Sequence, residues 1–301
     1  MTGTPVTAVA VSSYSIHLPT DDRFGPADAG LPPVEPGCPA DRAHTLLGRK
    51  GLLYKEPATR LALCAVHRAL GLPDGVRPDG PLDPGTAVVV ASNLGNVATV
   101  VDVTRAVARE GSRGVSPMAA PNASSNVIAS SIALWFRLGG PNLMVCSGET
   151  AGLDALALGV LLLRARRADR VLVVGAEPDD ETAVTVRGSA AAPPLRAGAA
   201  CVVLEPATRA AAPLATVTVG PTVRRRADVP PWSARVVVGP GHLDPASAWG
   251  DCYGAQGVLQ TALAVRLVAE GADGVAVLCG GDDDGWRTAL LAATVTTGGQ
   301  P

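Results

Sequence analysis

Apolar and polar residues alternate over positions 7–13, which predicts a strand, and residues 19–41 then carry repeated Pro, Gly and Asp and read as a long irregular loop. Over 58–70 the apolar residues Leu61, Cys64, Ala65 and Ala69 fall on one helical face, and 71–84 break that helix. An unbroken apolar run at 86–91 predicts a strand buried on both faces. Helical period returns at 97–109 and again at 122–138, where Gly139-Gly140-Pro141 stops it. A strand at 143–146, a helix at 150–166 and a strand at 170–174 complete an alternation that argues an α/β fold with a mainly parallel sheet.

The remaining chain repeats this order in shortened form. Strands are predicted at 200–204, 215–219 and 235–238, a helix at 254–269, and strands at 274–279 and 288–294. One helix is missing between 219 and 235. Residues 221–232, with Arg224-Arg225-Arg226, fill that gap and read as a solvated loop.

Composition narrows the function classes. A chain of 301 residues that is 47% hydrophobic and 17% charged is expected to be a soluble, packed protein of one large domain or two fused halves. A net charge of −2 offers no basic field for nucleic acid or anionic lipid. The first residues lack a cationic leader, and the most apolar run, 153–163, is short and interrupted by Asp154, so a cytoplasmic location is expected. Cys38, Cys64, Cys146, Cys201, Cys252 and Cys279 lie far apart, with no Cys-x-x-Cys pair and no Cys/His cluster at metal-ligand spacing; neither a metal nor a disulfide framework is expected. Gly239-Pro240-Gly241 and Gly148 match no phosphate-binding loop, so no bound cofactor is expected either.

Ser116-Pro117-Met118, Pro121-Asn122, Asn126, Ala129 and Leu138-Gly139-Gly140-Pro141-Asn142 stand in the order seen before the active-site elbow of β-ketoacyl synthases, and the sequence resembles that family. The likeness continues through Asp169, the strand Val171-Leu172-Val173-Val174-Gly175-Ala176-Glu177, the segment Trp249-Gly250-Asp251-Cys252-Tyr253-Gly254-Ala255-Gln256-Gly257, and residues 276–290. It implies a thiolase-like fold: two pseudo-repeated α/β halves in alternating layers, near 1–205 and 206–301, sharing a core, the second half shortened.

The family places a nucleophilic cysteine at the start of a buried helix. Counting from Gly140, or back from Ala155 and Leu156, puts Glu149 at that position. Cys146 falls three residues earlier, on the strand, where a free cysteine reads as a small buried hydrophobe. Ketosynthase chemistry also needs two histidines, or His and Asn, for decarboxylation and for the oxyanion. His17, His44 and His67 lie in the N-terminal loops and first helix and read as surface or packing residues. The resemblance sets Asp251 at one family histidine and brings His242 near the other, although Leu243-Asp244-Pro245 do not fit the motif there. The candidate site is therefore Glu149, His242 and Asp251. A helix start favours a carboxylate anion by ~0.3–1 kcal/mol, whereas burial disfavours it. Ionised, Glu149 would repel a malonyl carboxylate, and its acyl anhydride would hydrolyse readily, so condensation by this chain alone is not expected.

One branch fits that loss. Chain-length factors, the inactive partners of type II polyketide ketosynthases, typically carry Gln in place of the cysteine in a segment like Ser-x-Gln-Ala-Gly-Gly-Leu-Asp-Ala. Here the segment is Ser147-Gly148-Glu149-Thr150-Ala151-Gly152-Leu153-Asp154-Ala155, and Tyr253 follows Gly250 as in that branch. The resemblance implies a dimer with an active ketosynthase or with itself, in polyketide or fatty-acid-like biosynthesis. It also implies an acyl carrier protein partner, whose phosphopantetheine would be a substrate arm. Two rivals stay open: an enzyme that reuses the pocket for acyl-thioester transfer, hydrolysis or decarboxylation with Glu149 as acid or base, and a scaffold that only binds the carrier. Gly280-Gly281-Asp282-Asp283-Asp284-Gly285-Trp286 replaces the family's apolar Gly-Phe-Gly-Gly turn, as either a solvated turn or a modified entrance.

Overall fold

Strands made of uninterrupted Val, Ala and Leu must be covered on both faces, and such strands form the centre of the molecule. The computed structural model describes residues 8–24, 30–188 and 193–294. Strands β2 (Thr86–Ala91) and β4 (Arg170–Glu177) pair in parallel, with Val88 opposite Leu172, and β2 pairs in parallel with β3 (Asn142–Val145). β5 (Gly198–Pro206) runs antiparallel to β4 and to β1 (Val9–His17). β1 in turn pairs with β6 (Ala215–Val219), which leads to β9 (Gly285–Ala292), β8 (Gly274–Gly281) and β7 (Val236–Val238). Among the described residues the sheet has nine strands in the order β3-β2-β4-β5-β1-β6-β9-β8-β7.

Outward from β1 the pairings run antiparallel, antiparallel, parallel, parallel; outward from β6 they run antiparallel, antiparallel, parallel. The second set thus repeats the first without its last strand. Helices α2 (Pro57–Ala69) and α4 (Val127–Phe136) cover one face of the first set, packing Leu61, Ile128 and Ile132 on Val88, Val90, Leu172 and Val174. Helices α5 (Ala151–Arg164) and α8 (Gln256–Ala269) cover the other face, and the same cluster includes Val275, Val277, Ala289 and Leu291 of the second set. Helix and sheet therefore alternate in layers around a shared core, in which each fully buried Leu or Val contributes about 1.5–3 kcal/mol relative to exposure.

The two middle helices meet at their first turns. A Cβ on Gly152 would lie 2.6 Å from the Cα of Gly257, so only glycine allows this backbone-to-backbone approach. That crossing brings the chain before α5 beside the chain before α8.

Several boundaries differ from the sequence expectation. β1 extends to His17 because a bulge between Val11 and Ser13 keeps the rest of the strand paired with β5; predicted position 7 lies outside the described residues. The helix expected over 122–138 is a 3₁₀ turn at Ala120–Ala123 followed by α4, since the Asn96 amide donates to the carbonyls of Asn122 and Ser124 and holds the chain out of the helix. The predicted strand 143–146 ends one residue sooner, at Val145. The last strand, β9, lies earlier than the predicted 288–294. The short helices α1 (His44–Leu47), α6 (Glu181–Arg187) and α7 (Pro245–Trp249) were not signalled by period, being too brief to show one. Among the described residues only a 3₁₀ turn, Arg226–Asp228, lies between β6 and β7, as the missing helix required. No helix among them is long and apolar enough to cross a membrane.

Candidate functional site

Between β3 and α5 the chain makes a tight turn with Gly148 at φ +67°, and the Asn93 side chain holds it from both sides. Asn93 Nδ2 donates to the Gly148 carbonyl at 2.9 Å and its Oδ1 accepts from the Gly148 N–H at 3.2 Å. Asp154, one turn into α5, accepts from Thr150 Oγ1 at 2.7 Å and from Ser147, and pairs with Arg287 of β9. These contacts fix Glu149 at the helix entrance. Its carboxylate lies over Gly281, where a Cβ would run into it.

Arg187, at the end of α6, joins the two helix entrances. Its Nη2 donates to Glu149 Oε1 at 3.0 Å and to Asp251 Oδ2 at 3.4 Å, and its guanidinium lies 4.2 Å from the Tyr253 ring centroid. Tyr253 has φ +40°, a backbone conformation that costs a non-glycine residue energy and recurs at functional sites. The N–H of Tyr253 donates to Asp251 Oδ1 at 2.7 Å. Burial raises the carboxyl of Glu149; Arg187 opposes the rise, and Asp251 and Asp284 add to it. Asp251 is also raised by burial, against its bond from Tyr253 and the charge of Arg187. Burial thus outweighs the Arg187 charge at Glu149.

A cavity of about 280 Å³ opens beside these groups, lined by Glu149, Arg187, Asp251, Tyr253, Gln256 and Gln260 among others. Gln256 and Gln260 line the cavity, and their Nε2 and Oε1 atoms are buried without a hydrogen-bond partner. Glu149 and Asp251 are thus brought together through Arg187. His242 is not: it is exposed on the turn after β7, its N–H donating to the Gly239 carbonyl at 3.0 Å, and it does not line the cavity. Its neighbour Asp244 lines the cavity and caps α7.

Cys146 is exposed just past β3, not a buried strand residue as the sequence suggested, because the strand ends at Val145; its thiol donates to the Ser92 carbonyl at 3.0 Å. Partial burial and Glu177 raise its pKa. Cys279 is buried and its thiol, raised by burial, donates to the Glu149 carbonyl at 2.8 Å. The Arg triplet is exposed as expected, with Arg225 paired to Asp228 and Arg226 donating to the Pro240 carbonyl.

Sequence reasoning missed Arg187, Asn93 and Glu177. Arg187 was within reach: Asp180 accepts from the Ala183 N–H as an N-cap, with Glu181 in the first turn, a recognisable helix start. Glu177 is fully buried at the end of β4 and accepts from Asn93 N at 2.6 Å, Leu94 N at 2.9 Å and Ser92 Oγ at 3.1 Å, a role no local pattern announces.

Residues 48–208 match the N-terminal domain of β-ketoacyl synthase, and the chain belongs to that family. Its fold is thiolase-like. Among solved structures it is similar to the ishigamide ketosynthase/chain length factor, with 22% identity and a TM-score of 0.68 over 95% of this chain and 99% of that one. It is also similar to the AntDE:AntF complex, a type II PKS acyl-carrier protein with its ketosynthase bound to the hexaketide, with 14% identity and a TM-score of 0.66 over 96% and 100% of the two chains. A β-ketoacyl synthase from Burkholderia phymatum STM815 gives 14% identity and a TM-score of 0.65 over 96% and 100%. No curated protein sequence matches the chain.

Proposed function

We propose that this chain is a non-condensing subunit of chain-length-factor type, the partner of an active ketosynthase in polyketide or fatty-acid-like biosynthesis in the cytoplasm. One observation carries the reading: the helix entrance presents a carboxylate, Glu149, ion-paired to Arg187, in place of a free thiol. The two nearby thiols are engaged with carbonyls and have raised pKa values, the opposite of what a nucleophilic cysteine needs.

An unpartnered sheet edge supports a second subunit. β3 is one edge of the sheet and is only half-buried along its length, and α3 (Val97–Glu110) has no buried residue and leaves Val100 and Val107 exposed. The partner is a cysteine-bearing ketosynthase or a second copy of the chain, and an acyl carrier protein would present its phosphopantetheine-bound chain to the pair. Co-expression with such a ketosynthase, followed by light scattering, is expected to give a stable dimer. A monodisperse monomer both with and without the ketosynthase overturns the reading.

The cavity favours a second reading. Arg187 and Asp251 give Glu149 the companion groups that an acid–base site requires, and burial raises its carboxyl. Turnover of an acyl-carrier thioester by the isolated chain, lost in Glu149→Gln, would establish that reading over the first.

A further inference from the structure

The end of β1, the loop before α1 and the middle of α2 meet away from this cavity, and each supplies one metal-binding atom. His17 and Cys64 are fully buried, and Cys38 is half-buried. Cys38 Sγ lies 4.0 Å from Cys64 Sγ and 3.9 Å from His17 Nε2, and the ligand atoms of the three residues all lie within 4.8 Å of one another. Gly37 lies against the imidazole so closely that a Cβ there would be 2.8 Å from the ring, which fixes the loop carrying Cys38 on His17.

These separations suit a tetrahedral cation. With Zn–S near 2.3 Å and Zn–N near 2.0 Å, such an ion holds two sulfurs about 3.8 Å apart and a sulfur and nitrogen about 3.5 Å apart. Small side-chain rotations close the difference.

The imidazole is incompletely satisfied, and its nitrogen beside the thiols, Nε2, exchanges a contact with the Cys38 carbonyl for the cation. His17 Nε2 contacts the Cys38 carbonyl at 2.9 Å while Nδ1 is buried with no partner, so neither tautomer satisfies both ring nitrogens.

We propose that His17, Cys38 and Cys64 form a binding site for a thiophilic divalent cation of the zinc class, with water entering beside Cys38 as the fourth ligand. Binding releases the thiol protons of its cysteine ligands to solvent and ties the long irregular loop to β1 and α2. The site is separate from the cavity of Glu149, so it holds or fails independently of the proposed partner role.

The test uses the full chain, reduced and freed of metal with a chelator, and titrated with Co²⁺ as a spectroscopic probe. A thiolate-to-cobalt charge-transfer band and intense visible bands of four-coordinate cobalt are expected, both displaced by Zn²⁺. Cys38→Ala and Cys64→Ala should each abolish the band and weaken zinc binding by at least about 100-fold, more than the loss of an outer-shell partner costs. Cys146→Ser, which removes the exposed thiol, should retain it. Cys38 is half-buried, so its variant tests the site even where Cys64→Ala fails to fold, and circular dichroism verifies folding. Absence of the band in the reduced wild type overturns the proposal, as does a band that persists in folded Cys38→Ala. Formation of a Cys38–Cys64 disulfide with no cobalt uptake after reduction also overturns it.

Discussion

The backbone N–H of Glu149 donates to the carboxylate of Asp284 at 2.8 Å, across 135 residues of sequence. The acidic turn between β8 and β9 therefore caps the entrance of α5, and at least one of its three aspartates has a structural role beyond solvation. Asp284→Ala should destabilise the protein by about 1 kcal/mol, the usual cost of losing a cap, in equilibrium urea unfolding. An unchanged midpoint would show that the bond contributes nothing.

Glu149→Gln separates the two functional readings. The amide keeps the shape of the side chain and leaves the backbone bond to Asp284 in place, while Arg187 retains Asp251. For a partner subunit, complex formation and product output should stay close to wild type. For an acid–base enzyme, the rate should fall by about 100-fold or more. Pathway output and turnover by the isolated chain decide between them, and the small effect is the expected one.

Cys146 should not become acylated. Its thiol bonds the Ser92 carbonyl and has a raised pKa, so little thiolate forms near neutral pH. Intact-mass measurement after incubation with acyl-carrier thioesters should show no adduct there. A stable adduct mapped to Cys146 would move the nucleophile position back by three residues.

Gly152→Ala places a methyl against the Gly257 Cα at 2.6 Å, and the crossing of α5 over α8 must open to admit it. Overpacking of this kind costs about 1–3 kcal/mol, and the melting temperature should fall accordingly. Because the same crossing aligns Glu149 with Asp251, complex formation should weaken along with stability. A variant as stable as the wild type would place the helices further apart than described.

Glu177 predicts a pH dependence of stability. Burial raises its carboxyl from 4.5 to about 8, against the bonds from Asn93, Leu94 and Ser92. The folded state therefore keeps a proton that the unfolded chain releases above about 4.5, and this contribution is complete below that pH and lost as pH rises through about 8. In urea unfolding across that window, wild type should lose stability relative to Glu177→Gln, with the difference constant above it. A difference independent of pH would mean that Glu177 is ionised throughout.

The sequence by itself determined the elements with strong local period, such as the strand at Thr86–Ala91, the helix Pro57–Ala69 and the alternation of strands and helices that makes the fold α/β. The motif residues from Ser116 to Asn142 led to the family, and the frame around Glu149 marked the helix entrance. Such signals lie within a few turns of chain, where spacing alone decides which face a residue occupies. What each of these residues touches was decided only by tertiary packing. Arg187 reaches Glu149 across 38 residues, and Cys38 reaches Cys64 across 26, through contacts that no periodicity encodes. Asp251 joined Glu149 because the crossing at Gly152 and Gly257 aligns the starts of α5 and α8, whereas the turn after β7 reaches the cavity through Pro240 and Asp244 and leaves His242 exposed. Local pattern sets secondary structure through side-chain spacing, whereas a site depends on where several elements converge once their apolar faces are buried together.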